Sequence, residues 1–522
     1  MKSQQTSSFE DQQNDISMSN INNHLSTESP NELSTTESGK KLHRRRSIIR
    51  EFATNTTMHG LPNIINSENV HSRIFWAISF VAFSSLMLYF IVKAILEYLQ
   101  YQTQTDMSVN VEWPQYFPAF SICNAASFRY DQFIEPFLNY TNTLNLTNEN
   151  SMNALSPLRI RNFIQYKVNR NESIAQYSFS LYSMLYQCLY DSMPCSSADF
   201  IPFVSSTYGL CFTFNAKMKN TSVGVRYGNQ YSGTDRLDLA FYVHSQQYVP
   251  YVVDSIGMVG LVHDNAQVPL IDANGIGLAP GRKYKLSFTK KKNFFLSSPY
   301  TSCTNNIPLS MKVMFNDYNG ADYSYSQLSC YELCMQAYTY EQCGCINPYL
   351  WNVRYIVLPD TKNVILAPLC NYTNSCYRRA TDTFTASSSF VEQYCPDCTL
   401  QCSLIDFPLK ISSFITPPEW QLNGIKTFVE NSSVPLPLDW STAWRTHIQN
   451  NYVAVSVVRE AAFVDIQIQQ AKITLGDVIS KVGGLTGLWL GLSCLSIMEF
   501  IHMLYRLIHY QCYLILSVIR KK

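Results

Sequence analysis

Val482-Gly-Gly-Leu-Thr-Gly-Leu-Trp-Leu-Gly-Leu-Ser-Cys-Leu-Ser-Ile-Met498 carries no charge, and Glu499 follows at once. Apolar residues continue through Phe500, Ile501, Met503, Leu504, Leu507 and Leu514–Leu516. About 20 mostly apolar residues suffice for a helix to cross the hydrocarbon of a bilayer, so the stretch reads as a membrane span. Gly483, Gly487 and Gly491 stand four apart. On one continuous helix, at about 100° per residue, they form a slowly drifting stripe. Small residues at that spacing let helix backbones approach closely.

Close helix packing alone would explain the glycines. Glu499 asks for more, because a carboxylate within a span costs about 2.5–3.5 kcal/mol on insertion scales and such groups face water or a partner. Copies of the chain meeting around an axis, with the small residues lining a wet path, would satisfy it. His502 and Arg506 follow along a similar face. The alternative for all three is the membrane interface, where long side chains snorkel.

The rest of the chain supports a membrane protein with a large exterior. Its 522 residues carry a net charge of +1, which gives no electrostatic case for a nucleic-acid partner. None of the 16 cysteines precedes Cys123, and fourteen fall between Cys123 and Cys402. An even set confined to one segment reads as a disulfide framework in an oxidising space. The stretch between the two spans holds six Asn-x-Ser/Thr sequons, at Asn139, Asn145, Asn171, Asn220, Asn371 and Asn431.

Residues 1–39 are polar and poor in aromatics, the composition of a disordered tail rather than a signal peptide. A basic patch follows: Lys40, Lys41, His43, Arg44, Arg45, Arg46 and Arg50. Just before a span it suits anionic lipid on the cytoplasmic side. Ser47, after three arginines, has the pattern of a kinase target. Ile74–Val92 is uncharged and forms the first span. Basic excess on its N-terminal side places both termini in the cytoplasm and the cysteine-rich stretch outside. The expected organisation is a cytoplasmic tail at 1–72, a first transmembrane helix at 73–96, an exterior domain at 97–478, a second transmembrane helix at 479–510, and a short cytoplasmic C-terminus at 511–522.

Within the exterior, the Tyr116–Cys123 stretch reads as extended and residues 128–195 as mixed helical patterns with loops. Alternation favours strands from Thr213 to Ser287, with turns at Asn274-Gly275 and Pro280-Gly281. Tyr325–Gln342 reads as a helix that puts Cys330 and Cys334 on one face. Pairing this set with the later cysteines would make a ladder holding two antiparallel elements; sequence alone leaves the connectivity open. Cys395-Pro-Asp-Cys398 could instead be a redox pair or half a zinc site, although no histidine lies between His263 and His447. A Pro-rich loop after Ile411 and a short helix near Pro418–Lys426 come next. Alternation over Asn451–Ile473 then leads straight into the last span, a suitable lever for gating.

Several of these motifs together resemble the degenerin/epithelial sodium channel family, which includes acid-sensing and peptide-gated sodium channels. The resemblance covers about residues 58–510. Gly491-Leu492-Ser493, with Glu499 eight positions after the glycine, matches the family's Gly-x-Ser ion-selectivity element. His59-Gly60 resembles its cytoplasmic His-Gly gating motif, and Phe117-Pro118-Ala119 leading to Ile122-Cys123-Asn124 resembles its signature after the first span. The resemblance implies an α+β membrane protein. Two transmembrane helices flank a disulfide-rich β-core extracellular domain with a helical finger and thumb, and the assembly is a homotrimer or a heterotrimer with related subunits. By analogy with the acid-sensing subfamily the disulfides are Cys123–Cys211, Cys188–Cys195, Cys303–Cys402, Cys330–Cys398, Cys334–Cys395, Cys343–Cys376 and Cys345–Cys370.

The resemblance also implies a pore lined by Gly483, Gly484, Gly487 and Glu499, with Ser480 and Lys481 joining His59 and Gly60 in gating. The permeant ion is sodium, the family trait of amiloride sensitivity applies, and no cofactor, metal or catalytic residue is expected. A ring of Gly/Ser oxygens can replace part of a small cation's hydration shell. Departures bear on the stimulus. Acid-sensing members carry two acidic residues after the cysteine matching Cys376, whereas here Arg378 takes the first position and Asp382 remains. Tyr98–Pro118 lacks their histidines, and Lys481 stands where an aspartate is usual. These differences point to a peptide or other small extracellular ligand, with proton gating or a constitutively open pore as alternatives. ATP-gated purinergic receptors share the topology but lack the Gly-x-Ser…Glu pattern. A non-conducting surface receptor leaves Glu499 without a role, and an ectoenzyme lacks any nucleophile elbow, phosphate loop or zinc-binding helix.

Overall fold

The computed structural model describes residues 35–144, 154–219, 224–228, 235–357 and 363–520. Asn145 and Asn220 lie outside them. The chain divides into two compact units, one formed by the terminal segments up to Gln100 and from Thr474, the other by Tyr101–Ile473.

The central unit is built on Tyr452–Ala471, a single twenty-residue strand. Its first part, Tyr452-Val-Ala-Val-Ser-Val-Val, is almost wholly buried, and its second half turns to alternating exposure. The cause is its neighbours. Arg282–Phe294 runs parallel to its residues 453–459 and 464–468 with a register shift between them, Arg236–Tyr242 pairs antiparallel with its beginning, and Thr103–Val111 pairs antiparallel with its end. Further strands complete an eight-stranded sheet, while a five-stranded sheet follows the order 276–278, 258–263, 119–124, 209–214, 200–205. Phe117, Phe120, Phe214, Phe241, Phe288 and Val455 fill the principal core.

Helices cover these sheets. Tyr130–Thr143 and Pro157–Asn169 share a core of Phe133, Phe137, Ile160 and Phe163. Leu422–Glu430 and Trp440–Asn451 bury Ile425, Val429, Trp440 and Ile448 against Tyr242 and Tyr452. Gln327–Cys343 is tied to the segment bearing helices Ser375–Thr385 and Ser388–Tyr394 by Cys330–Cys398, Cys334–Cys395 and Cys343–Cys376. The other bonds are Cys123–Cys211, Cys188–Cys195, Cys303–Cys402 and Cys345–Cys370, so the seven pairs coincide with those the resemblance implies. Cys395 and Cys398 are each bonded to a helix cysteine, which removes the zinc and redox readings of that dipeptide frame.

The terminal unit contains α1 (Thr35–Asn55), α2 (Leu61–Asn66), α3 (Val70–Leu99), α4 (Leu475–Leu490) and α5 (Cys494–Arg520). α3 is long and apolar enough to cross a membrane; α4 and α5 form a pair bent by 76° that passes the same test together. The helices differ in extent from the segments read from sequence. The tail expected to be disordered through residue 39 becomes helical at Thr35, and the basic patch lies on α1. α3 extends three residues beyond each end of the 73–96 span, because a helix does not stop where its apolar run stops. The 479–510 span is two helices, since Gly491 takes the left-handed region at φ 64°. The segment after residue 510 continues as helix to Arg520. In the central unit, the strand Leu409–Ile415 runs four residues into the stretch read as loop after Ile411, and the helix read near Pro418–Lys426 is a 3-10 turn at Glu419–Gln421 followed by Leu422–Glu430.

Candidate functional site

The site is the break between α4 and α5. α4 begins with a capping box in which Thr474 and Asp477 satisfy each other's backbone N–H groups. It ends at Gly491, whose N–H donates to the Gly487 carbonyl at 3.0 Å, while Leu492 N–H reaches Thr486 O at 3.2 Å. A left-handed glycine is a common way to end a helix, since it avoids the Cβ clash that other residues suffer there. Ser493 opens α5: its hydroxyl accepts from Ser496 N–H at 3.3 Å, and its carbonyl accepts from Ile497 N–H at 3.2 Å. Thus Gly491, Leu492 and Ser493 form one extended turn with main-chain groups outside both helical ladders.

The turn at 56–60 packs into this break. His59 N–H donates to the Leu490 carbonyl at 2.8 Å. Its imidazole lies so close to Gly491 that a Cβ there would fall 1.8 Å from His59 Nδ1. Gly60, at φ 87°, precedes α2, and a Cβ on it would meet the Phe80 ring at 3.4 Å. The two motifs, more than 400 residues apart in sequence, are therefore one structure. Glu499 sits one turn into α5. Its Oε2 accepts from Thr56 Oγ1 and Thr57 N–H, each at 3.1 Å, and Thr57 Oγ1 lies 2.6 Å from Ser496 Oγ. Charge-assisted bonds of this kind are shorter and stronger than neutral ones. The carboxylate anchors the incoming turn. Thr56, Thr57, Ser496 and Phe80 were not singled out from sequence, where only the nearness of two threonines to His59-Gly60 marks them.

The other predicted residues are spread along α4. A Cβ on Gly483 or Gly484 would meet nothing within 4 Å, and on Gly487 only Leu492 O at 4.0 Å. Trp489 holds α3 instead, stacking on Phe83 at 5.7 Å and Phe90 at 6.3 Å. The stripe is thus not where α3 docks, and Gly491 leaves it by leaving the helix. Ser480 is exposed, and Lys481 Nζ lies 3.6 Å from Glu97 Oε2 of α3. Both are remote in sequence from the break. Asn139, Asn171, Asn371 and Asn431 are exposed in the central unit.

The terminal unit thus holds a helix pair broken at Gly-Leu-Ser with a His-Gly turn packed into the break, and the central unit holds seven disulfides. The chain belongs to the amiloride-sensitive sodium channel family, whose model matches residues 52–503. Acid-sensing ion channel 1A of Danio rerio is 24% identical over 487 residues, covering 89% of each chain. The Bile acid-sensitive ion channel of Homo sapiens is 25% identical over 490 residues, covering 90% of this chain and 88% of that one. Epithelial sodium channel subunit gamma of Rattus norvegicus is 25% identical over 343 residues, which is 63% of this chain and 47% of that one.

Proposed function

We propose that this chain is a pore-forming subunit of a sodium-selective, amiloride-sensitive channel, assembled as a trimer of like or related subunits in the plasma membrane with both termini in the cytoplasm. Family membership supports the sodium channel. The single observation that carries the mechanism is the packing of His59 onto Gly491. Three Gly491-Leu492-Ser493 turns around an axis would present main-chain and hydroxyl oxygens to a partly dehydrated cation. The His59-Gly60 turn props each one from below, and Glu499 pins that turn. Gly483 and Gly487, turned away from α3, would line the path above, with Gly484 beside them at the edge of the α3 contact. The stimulus is an extracellular peptide or other small ligand acting on the central unit, whose long strand leads into α4.

Voltage clamp of the expressed chain tests this. Replacing external sodium by a large impermeant cation should abolish inward current, amiloride should block it, and Ser493→Ala should lower sodium over potassium selectivity. Inward current that survives the replacement sinks the proposal. A second reading, gating by protons, is favoured by Glu332: burial, and then nearby Asp272, push its carboxyl up to about 7. Acid activation without any response to candidate peptides would establish it.

A further inference from the structure

We propose that Ser47, on α1, is a phosphorylation site that a kinase reads only when α1 is lifted from α5, so that modification reports and holds the undocked state. This rests on the cytoplasmic placement of the N-terminal segment argued above.

Arg44-Arg45-Arg46-Ser47-Ile48 places arginines three, two and one positions before a serine, with an aliphatic residue after it. A protein kinase that reads basic residues binds such a segment extended, taking the guanidinium groups with its own carboxylates. Here two of those groups are engaged. Arg44 lies over the Tyr510 ring at 5.3 Å, and Arg45 donates to Gln511 Oε1 at 2.5 Å. Ile48 is buried, although Ser47 itself is exposed. One turn along α1, Glu51 takes a two-pronged contact from Arg506 at 3.0 and 3.1 Å, and Phe52 packs edge-on to Phe500. The docked helix thus leaves Ser47, Arg44 and Arg46 exposed but holds the stretch helical rather than extended, with Arg44 and Arg45 in contact with α5 and Ile48 buried.

Once α1 lifts, the γ-phosphoryl of a nucleoside triphosphate can pass to Ser47 Oγ. The new O–P bond forms, the bridging P–O bond to the diphosphate breaks, the diphosphate leaves with the electron pair, and the hydroxyl proton goes to the kinase's carboxylate base. The phosphate then carries about −1.5 to −2 charge at pH 7. Arg44 and Arg50 stand three residues either side of it, within helix-neighbour reach. Pairing with Arg44 draws that side chain off Tyr510 and opposes re-docking.

The test uses the full chain, solubilised, with the catalytic subunit of a cyclic-nucleotide-dependent kinase and ATP, and mass spectrometry of the Ser47 peptide. Ser47 should be labelled, and Ser47→Ala should remove that label. Arg506→Ala lies outside the kinase's recognition residues but loosens the dock. An exposed pair is worth up to about 1 kcal/mol, so the initial rate should rise by up to about fivefold. Glu51→Gln should act in the same direction and guards against a folding defect of the first variant. No label on Ser47, or equal rates in wild type and both variants, overturns the proposal. Labelling of the solubilised chain but not of the chain in kinase-expressing cells would overturn the cytoplasmic placement and leave the docking-controlled site standing.

Discussion

Gly491 has no substitute that keeps both of its properties. Its φ of 64° belongs to the region that L side chains rarely adopt, and its Cα faces the His59 ring. Alanine there would meet a backbone penalty of about 1–2 kcal/mol and a clash that cannot be relieved without moving the 56–60 turn. We expect Gly491→Ala to abolish sodium current while leaving surface expression intact. Adding His59→Ala should restore part of the current, since the clash goes and only the backbone strain stays. No restoration in the double variant would mean that the ring contact is incidental. The glycine was legible from its motif; its contact was not, because nothing in either local pattern says that residues 59 and 491 meet.

Glu332 offers a second test at this scale. Its carboxyl is held near 7 in the folded chain, above the ordinary carboxylate value. Between that ordinary value and about 7, the folded state keeps a proton that the unfolded state has lost. Stability therefore falls as pH rises across this window and levels off above it. Glu332→Gln should flatten the fall and raise the melting temperature above pH 7. An unchanged thermal profile would show that the group is not held protonated.

Among the elements, the strand Arg282–Phe294 contains an unusual buried cation. The Lys290 side chain is fully buried, 2.9 Å from Glu112 and over the Tyr116 ring at 3.5 Å; Lys292 lies 2.7 Å from the same carboxylate. Burial drives Lys290 down to about 8. Removing one partner of a buried pair costs more than replacing it by an apolar shape, because a charge is stranded. Glu112→Ala should thus destabilise the central unit by about 1–2 kcal/mol at neutral pH, a cost limited because Lys290 can shed its proton instead. Lys290→Met leaves Glu112 paired with Lys292 and should cost far less. Denaturant unfolding of the two variants gives the order, and the reverse order would refute it. Alternation revealed the long final strand but not this cluster, whose register shift between Phe288 and Lys290 has no marker in sequence. The break between α4 and α5 was hidden for a related reason. A run without charge reads as one span, and composition is silent about whether a glycine within it is helical.

For the whole molecule, the bonded cysteines all belong to one of the two units. The seven bonds all fall within Tyr101–Ile473, which has its own core. Secreted alone, that segment should oxidise to a single species with every bond of the intact chain, as non-reducing peptide mapping would reveal. A mixture of pairings would show that the terminal segments direct the folding. The cysteine-rich segment and the span-like segments were readable because each depends on composition over many residues, whereas the pairing of the cysteines came from the resemblance alone. The docking of α1 on α5 was not, because it rests on a few polar and aromatic pairs such as Glu51–Arg506.

The strand Tyr452–Ala471 faces a different neighbour on each side along most of its length. Inserting or deleting one residue inside it would send every later side chain through to the opposite surface, turning core outward and polar groups inward at once. Length changes in descendants of this gene should therefore gather in connecting segments and spare this rib, which behaves as the fixed ruler against which the rest of the polypeptide is measured.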